Sequence, residues 1–267
     1  MRKILLNNTN ILVSRISFGT SSLHHLISKK DRQNILSNAG HHGISHFDTS
    51  PYYGYGLAES DLGEFIKKQR QKYTIATKIG LYPYLYSSKY SIDVWTRIAF
   101  GKLFPIISLP KVNQSLNLAK KSLNNSLKNL KSDYVDFLFL HEPFYELYNT
   151  DEYLKWLDEI KINGKIRFYG IAGTQEKILP FLLEKSNLSK IIQTKDSVNK
   201  NEASFLSTHN RELQFTYGYF SSRTANESFN NIIIKSLENN KFGSLIYSTK
   251  NILHQNNFFN FTKNILH

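Results

Sequence analysis

One stretch of the chain combines an acid and a phenol in a setting that suits chemistry. The apolar run 44–47 predicts a short strand that ends abruptly at Asp48. A loop rich in glycine and proline follows and carries Tyr53, and a helix is predicted over residues 57–69. Enzymes with parallel strands place their chemistry where strands end. Taken singly, Asp48 is also an ordinary turn former and Tyr53 an ordinary loop aromatic.

Two later strands end in polar residues of complementary chemistry. The strand predicted over 73–78 ends in Lys78, and the apolar run 134–140 ends in His141. In a parallel barrel these strands are neighbours, and their carboxyl ends face one rim. We therefore predict that Asp48, Tyr53, Lys78 and His141 form one site.

The four side chains suit the reduction of a carbonyl group. A phenol has a pKa of about 10, and we expect the Lys78 ammonium to lower the pKa of Tyr53. Asp48 would supply the counter-charge of Lys78, and His141 would orient the substrate oxygen against Tyr53. Because no side chain donates hydride, a nicotinamide cofactor is required.

Composition excludes several classes of protein. The 267 residues are 40% hydrophobic and contain no cysteine, which excludes disulfides and thiolate sites. We find no apolar run of membrane-spanning length, no signal peptide and no metal-ligand spacing, and we expect a cytoplasmic protein. The net charge of +13 attracts anions. Its lysines are scattered and do not alternate with aromatics, so we predict no nucleic-acid binding.

The order of predicted elements indicates the fold. Eight strands alternate with helices, which predicts a (β/α)₈ TIM barrel of one domain over residues 1–267. An N-terminal β-hairpin is predicted around the turn-rich residues 7–10, and Gly40 is expected to end the helix that begins at Lys30. A doubly wound sheet is the alternative, but its glycine fingerprint is absent.

The segment 82–111 is long, irregular and rich in aromatic residues. Such a long loop in a compact domain is usually functional or disordered, and its aromatic content argues against disorder. A lid over the substrate and a packing cluster both remain open.

Most of the chain resembles the aldo-keto reductase family. The resemblance is carried by three groups of motifs: Val13–Thr20, Phe47–Ser50, Tyr53–Gly56, Glu59 and Leu62-Gly63; then Ser122-Leu123, Leu130, Asp133–Asp136 and His141; then Gly164–Arg167 and Gly170. It implies a (β/α)₈ barrel, reduction of a small-molecule aldehyde or ketone or the reverse oxidation, and the catalytic set Asp48, Tyr53, Lys78 and His141. It also implies a nicotinamide cofactor, usually NADPH, with NADH as the alternative.

The implied cofactor site departs from the family pattern in places. The family commonly has Ser-Asn where this chain has Ala172-Gly173, whereas Gln193 and Tyr217 match. The complete set of cofactor-binding candidates is Gly19, Thr20, Asp48, Ala172, Gly173, Gln193, Tyr217, Arg223, Lys250 and Asn256. The departures motivate an alternative function, a catalytically weak or silent barrel that binds a cofactor or a partner protein.

Overall fold

The computed structural model describes residues 1–83, 111–148, 150–224 and 227–266. Its strands in chain order are β1 (Lys3–Leu5), β2 (Leu12–Ser14), β3 (Ile16–Gly19), β4 (His46–Asp48), β5 (Thr74–Ile79), β6 (Leu81–Tyr82), β7 (Lys111–Val112), β8 (Val135–His141), β9 (Ile166–Gly173), β10 (Ile192–Lys195), β11 (Phe215–Tyr217) and β12 (Ser244–Tyr247). Eight of them form a closed parallel barrel in the order β3-β4-β5-β8-β9-β10-β11-β12, with β12 pairing back to β3. The predicted TIM barrel is confirmed.

The hairpin at the N-terminus is also confirmed. Strands β1 and β2 pair antiparallel, with Lys3 opposite Ser14 and Leu5 opposite Leu12. Leu6 and Ile11 then continue into a buried cluster with residues of the barrel interior. The hairpin therefore closes one end of the barrel and leaves the carboxyl rim of the strands open.

Helices connect the strands in the order that the alternation predicts. The described helices are Lys29–His41, Leu57–Ile66, Leu116–Leu130, Tyr145–Tyr148, Asp151–Ile162, Gln175–Leu183, Ser204–Thr208, Phe229–Asn239 and Ile252–Ile265. Several begin with a side-chain cap; the Thr150 hydroxyl, for example, accepts from the backbone N–H of Tyr153.

The predicted end of the first helix at Gly40 is wrong. The helix runs on to His41, and the chain turns at Gly43, whose φ is +84°. Of the two glycines, Gly43 and not Gly40 has the left-handed backbone that favours glycine at a helix end. A Cβ on Gly40 would lie 3.0 Å from the ring of Phe65 and 3.0 Å from the hydroxyl oxygen of Tyr73, so close packing accounts for that glycine.

Apolar side chains fill the barrel on both sides of its strands. One cluster lies inside the barrel and includes Phe137, Phe139 and Phe215. A larger cluster lies between the strands and the helices and includes Leu138 and Leu140. Strand β8 thus buries alternate residues on opposite faces, as its continuous apolar run predicts.

The predicted lid lies mostly outside the described residues. Its two ends form a short antiparallel pair, in which Leu81 is opposite Val112 and Tyr82 opposite Lys111. Residues 84–110 between them are not among the described ones. The lid over 82–111 and the single domain over 1–267 stay predictions.

Candidate active site

The four predicted site residues lie together at the carboxyl rim of the barrel. Asp48 ends β4, Lys78 is near the end of β5, His141 ends β8, and Tyr53 is in the loop after β4. All four line a cavity of about 310 Å³. A cavity of this volume is within the range of small-ligand sites, about 300–1,000 Å³.

Lys78 is the centre of the hydrogen-bond network. Its Nζ donates to Asp48 Oδ1 at 2.6 Å and to the carbonyl oxygen of Thr49 at 2.9 Å. Its third donor faces the hydroxyl oxygen of Tyr53 at 3.4 Å. The Lys78 side chain is 1% exposed, so the ammonium depends on these partners in place of water. All three N–H groups of the ammonium are therefore directed at protein oxygens.

A tightly wound turn holds Tyr53 in this position. The three residues after it, Gly54, Tyr55 and Gly56, all have left-handed backbones, with φ of 59°, 58° and 93°. A Cβ on Gly54 would lie 2.5 Å from the Cβ of His24. Glycine at this position allows the loop after β3 to pack directly against the turn that presents Tyr53.

The pKa of Tyr53 moves in the direction opposite to the predicted one. Burial raises this pKa well above its usual value, and the carboxylates of Asp48 and Glu142 raise it further. The expectation from sequence considered the ammonium alone, whereas burial and nearby negative charge oppose ionisation of a phenol. Tyr53 therefore stays protonated at neutral pH, the form from which it can donate a proton.

His141 is a neutral hydrogen-bonding group at the cavity wall. Burial lowers its pKa to about 3, and the Lys78 charge acts in the same direction. Its Nδ1 is buried without a hydrogen-bond partner among the described residues. A neutral imidazole can donate from one ring nitrogen to a carbonyl oxygen in the cavity.

Gln193 presents an unsatisfied carbonyl oxygen at the same cavity. Its side chain donates to Asp48, while Oε1 is buried without a partner among the described residues. A buried acceptor left unpaired is costly, so this atom points to a ligand that donates a hydrogen bond. The amide of a nicotinamide carries such a donor.

Four other cofactor candidates are divided between the cavity and the layer beneath it. Gly19, Ala172 and Tyr217 line the cavity. Thr20 is buried, and its hydroxyl donates to the carbonyl oxygen of Asp48 at 3.1 Å. Thr20 thus supports Asp48 from behind.

The remaining candidates lie farther from the four-residue cluster. The carbonyl oxygen of Gly173 accepts from the Thr194 hydroxyl, and Gly173 is absent from the cavity wall. Arg223 lines a second cavity of about 490 Å³, which shares Phe220 and Ser248 with the first. Lys250 is exposed near that rim.

Asn256 does not face the cavity. Its Oδ1 accepts from the side chain of Asn38 at 2.8 Å, on the side of the last helix that packs against the first. The described contacts give Asn256 no place beside the other cofactor candidates. Its sequence position alone does not reveal which face of the helix it occupies.

Sequence reasoning missed a group of serines at the cavity. Ser21, Ser22 and Ser248 line it, and the hydroxyls of Ser22 and Ser248 are 2.8 Å apart. Ser21 and Ser22 lie two and three residues after Gly19, the end of barrel strand β3, and this position is the signal that would have found them. Glu142 was also missed; burial raises its pKa, and it follows His141 with a φ of 47°.

Three comparisons place the chain among known proteins. The family model described as "Aldo/keto reductase family" matches residues 15–214. L-galactose dehydrogenase from Arabidopsis thaliana is 31% identical over 188 residues, which cover 67% of this chain and 51% of that protein. The NADH-specific methylglyoxal reductase of Escherichia coli is 29% identical over 211 residues, which cover 74% of this chain and 60% of that protein.

A solved structure agrees with the fold. The holo form of an aldo-keto reductase from Bacillus halodurans superposes with a TM-score of 0.75 at 20% identity, covering 98% of this chain and 91% of that one. The chain spans between about half and three fifths of the length of the two curated relatives. On the family match over residues 15–214, the chain belongs to the aldo/keto reductase family.

Proposed function

We propose that this protein is an NAD(P)H-dependent oxidoreductase that reduces an aldehyde or ketone, or oxidises the corresponding alcohol. The observation that carries the proposal is the contact of Tyr53 with the buried Lys78 ammonium at the wall of the cavity. A protonated phenol beside a fixed cation is suited to protonate a carbonyl oxygen.

Each side chain has a distinct role in the proposed reaction. When bound, the nicotinamide supplies hydride to the carbonyl carbon. Tyr53 gives its proton to the carbonyl oxygen as negative charge develops there. Lys78 stabilises the phenolate that remains, and Asp48 keeps Lys78 charged. His141 orients the carbonyl oxygen through a hydrogen bond from its neutral ring.

The nicotinamide fits the side chains at the cavity wall. Gln193 Oε1 would accept from the carboxamide, and the ring of Tyr217 offers a flat face at the same wall. Ala172 contributes only a methyl group, so Gln193 is the principal side-chain partner that we propose for the carboxamide. In the reverse oxidation the same site would take a proton from the alcohol.

We propose NADPH as the preferred cofactor, with NADH as the alternative. Arg223 lines the adjoining cavity, as does Thr249, which directly precedes Lys250 in the chain. Lys250 is exposed, and among the described residues none of the ion pairs within 4.0 Å includes it. A charge-assisted bond to a 2′-phosphate would contribute about 1.5–3 kcal/mol. The Escherichia coli relative is named as NADH-specific, which supports testing both cofactors.

The test separates cofactor binding from turnover. Titration with reduced cofactor, followed by fluorescence, gives the affinity, and a panel of small aldehydes and ketones then gives turnover. Tyr53→Phe is expected to lower kcat about 10²–10⁴-fold with cofactor affinity nearly unchanged, because a general acid acts in the transition state.

Tyr52→Phe is the matched control, since Tyr52 is in the same loop and does not line the cavity. Its turnover is expected to stay at the wild-type level. Cofactor binding without turnover of any carbonyl would favour the alternative, a silent barrel. Full turnover in Tyr53→Phe would refute the assignment of the acid.

A further inference from the structure

Glu59 is a buried carboxylate that the proposed reaction leaves without a role. It lies in the first turn of the helix Leu57–Ile66 and is fully buried. The Thr77 hydroxyl donates to Oε1 at 2.7 Å, and the Asn129 amide donates to Oε2 at 3.2 Å. Among the described residues, none of the ion pairs within 4.0 Å involves Glu59.

A carboxylate held only by neutral donors is expensive to bury. Removing a charge from water costs several kcal/mol, and neutral hydrogen bonds offset this only in part. A cation a little farther away therefore matters to Glu59, since Coulomb interactions reach beyond contact distance at low dielectric. Burial raises the pKa of Glu59, and its neutral hydrogen-bond donors and the Lys78 charge oppose that rise.

Strand geometry places the two charges on opposite sides of one strand. Thr77 and Lys78 are consecutive in β5, and successive side chains of a strand point to opposite faces. Thr77 points outward to Glu59, whereas Lys78 points inward to Asp48. The Lys78 ammonium thus lies between one carboxylate inside the barrel and a second one behind the strand.

Close packing of two helices holds Glu59 in place. A Cβ on Gly63 would lie 2.2 Å from the backbone oxygen of Asn129, so glycine lets the helix Leu116–Leu130 approach. Glu59 and Gly63 are one helical turn apart and share a face. This approach is what brings the Asn129 amide within reach of the Glu59 carboxylate.

We propose that Glu59 is a positioning residue, whose carboxylate keeps the Lys78 ammonium charged from behind β5 and so keeps a cation beside Tyr53. The turnover part of this inference rests on the proposed carbonyl reduction, and the part that concerns Lys78 does not.

The other groups that face Lys78 leave this role to the two carboxylates. Burial lowers the pKa of Lys78, while Asp48 and Glu59 raise it. His46 and His141 also face the ammonium, and burial lowers the pKa of each to about 3, so both are neutral. Tyr53 is uncharged as well, because its pKa is raised.

The first measurement is independent of turnover. Lysine labelled with ¹³C at the ε position is incorporated, and the Lys78 signal is assigned by its loss in Lys78→Met. In Glu59→Gln the midpoint of the Lys78 titration is expected to fall by about one pH unit. That is the effect of a unit charge about 10 Å away at an effective dielectric constant of about 20.

The second measurement follows turnover against pH. The alkaline limb of kcat/KM for the best carbonyl is expected to move to lower pH in Glu59→Gln by the same amount. Glu59→Asp keeps the charge and is expected to keep the limb near its wild-type position. Glu64→Gln is the control from the same helix, since Glu64 is partly exposed and pairs with Lys67 and Lys131.

The two measurements separate this inference from the proposed function. A Lys78 midpoint that falls in Glu59→Gln, in a protein that turns over no carbonyl, supports the inference and rejects the proposed reduction. If neither the Lys78 titration midpoint nor the alkaline limb of kcat/KM moves in Glu59→Gln, the inference is rejected, and Glu59 has only a structural role in holding the helices against β5. If Glu59→Gln does not fold, Glu59→Met replaces the charge with an apolar chain and is judged by the same two readouts.

Discussion

The buried pair of Asp48 and Lys78 allows a sharp test of the electrostatics of the site. Lys78→Met removes the ammonium and leaves Asp48 3% exposed, with Gln193 as its remaining side-chain donor. Asp48→Asn does the converse: it removes the carboxylate charge that Lys78 contacts at 2.6 Å and leaves the ammonium to donate to neutral oxygens, such as those of Thr49 and Tyr53. Either single change leaves one buried charge without the opposite charge that it contacts.

The size of the loss follows from this burial. Breaking a buried pair by removing one partner costs about 3–5 kcal/mol, a large share of a typical stability of about 5–15 kcal/mol. Removing both charges leaves no unpaired charge in the interior. The double variant, Asp48→Asn with Lys78→Met, is therefore expected to lose less stability than either single variant.

The pH dependence of the Lys78→Met variant has a defined sign. Burial raises the pKa of Asp48, and Lys78→Met removes the cation that opposes this rise. A carboxyl whose folded pKa exceeds its unfolded value contributes stability that is present at low pH and lost as pH rises. The deficit of Lys78→Met relative to wild type is thus expected to shrink as pH falls from neutrality toward 4.

Urea unfolding of the four proteins at several pH values measures these quantities. The midpoints and slopes give the free energy of unfolding of each variant, and the double-mutant cycle gives the coupling between the two residues. Single variants that lose under about 1 kcal/mol, or a double variant that loses the sum of both, would refute the reasoning.

Three further predictions concern other parts of the molecule. Burial lowers the pKa of His46 to about 3, so the contribution of this residue to stability is expected to decline below pH 6.5, by about 2 kcal/mol at pH 5. In urea unfolding at several pH values, His46→Phe should remove this part of the pH dependence of the free energy of unfolding. The exposed control His254→Phe should not. Gly170→Ala would bring a Cβ within 2.1 Å of the Ile191 carbonyl oxygen and is therefore expected to lower the urea midpoint. Gly164→Ala is the comparison, because a Cβ there has open space around it and meets only the backbone strain of a φ of 71°. Lys250→Ala is expected to weaken NADPH about 10-fold or more and to leave NADH unchanged, and equal effects on both dissociation constants would reject a phosphate contact.

Features that depend on local sequence were predicted well. Strand ends, helix starts and the alternation of elements depend on residues close in the chain, and they predict the barrel and its hairpin. The convergence of Asp48, Tyr53, Lys78 and His141 follows from the same information, because parallel strands place their carboxyl ends at one rim. Gly40 was misjudged because a glycine can serve either a turn or a close contact.

Features that depend on barrel closure could not be read from the sequence. Ser22 and Ser248 meet only because β12 pairs back to β3. Asn256 was expected near the cofactor, but the face that it occupies is fixed by packing of the last helix against Asn38 in the first. Such contacts join residues more than 200 positions apart, and no local pattern specifies them.

The sequence by itself determined which chemical groups gather at the rim, and the tertiary structure decided how those groups ionise. The residue types of Tyr53 and Lys78 suggested a lowered phenol pKa, whereas burial and the carboxylates of Asp48 and Glu142 raise it. Glu59, the second carboxylate near Lys78, raises the pKa of Lys78 only because the helix Leu57–Ile66 packs against β5. Ionisation depends on the solvent and charges on every side of a group, and those surroundings exist only in the folded chain.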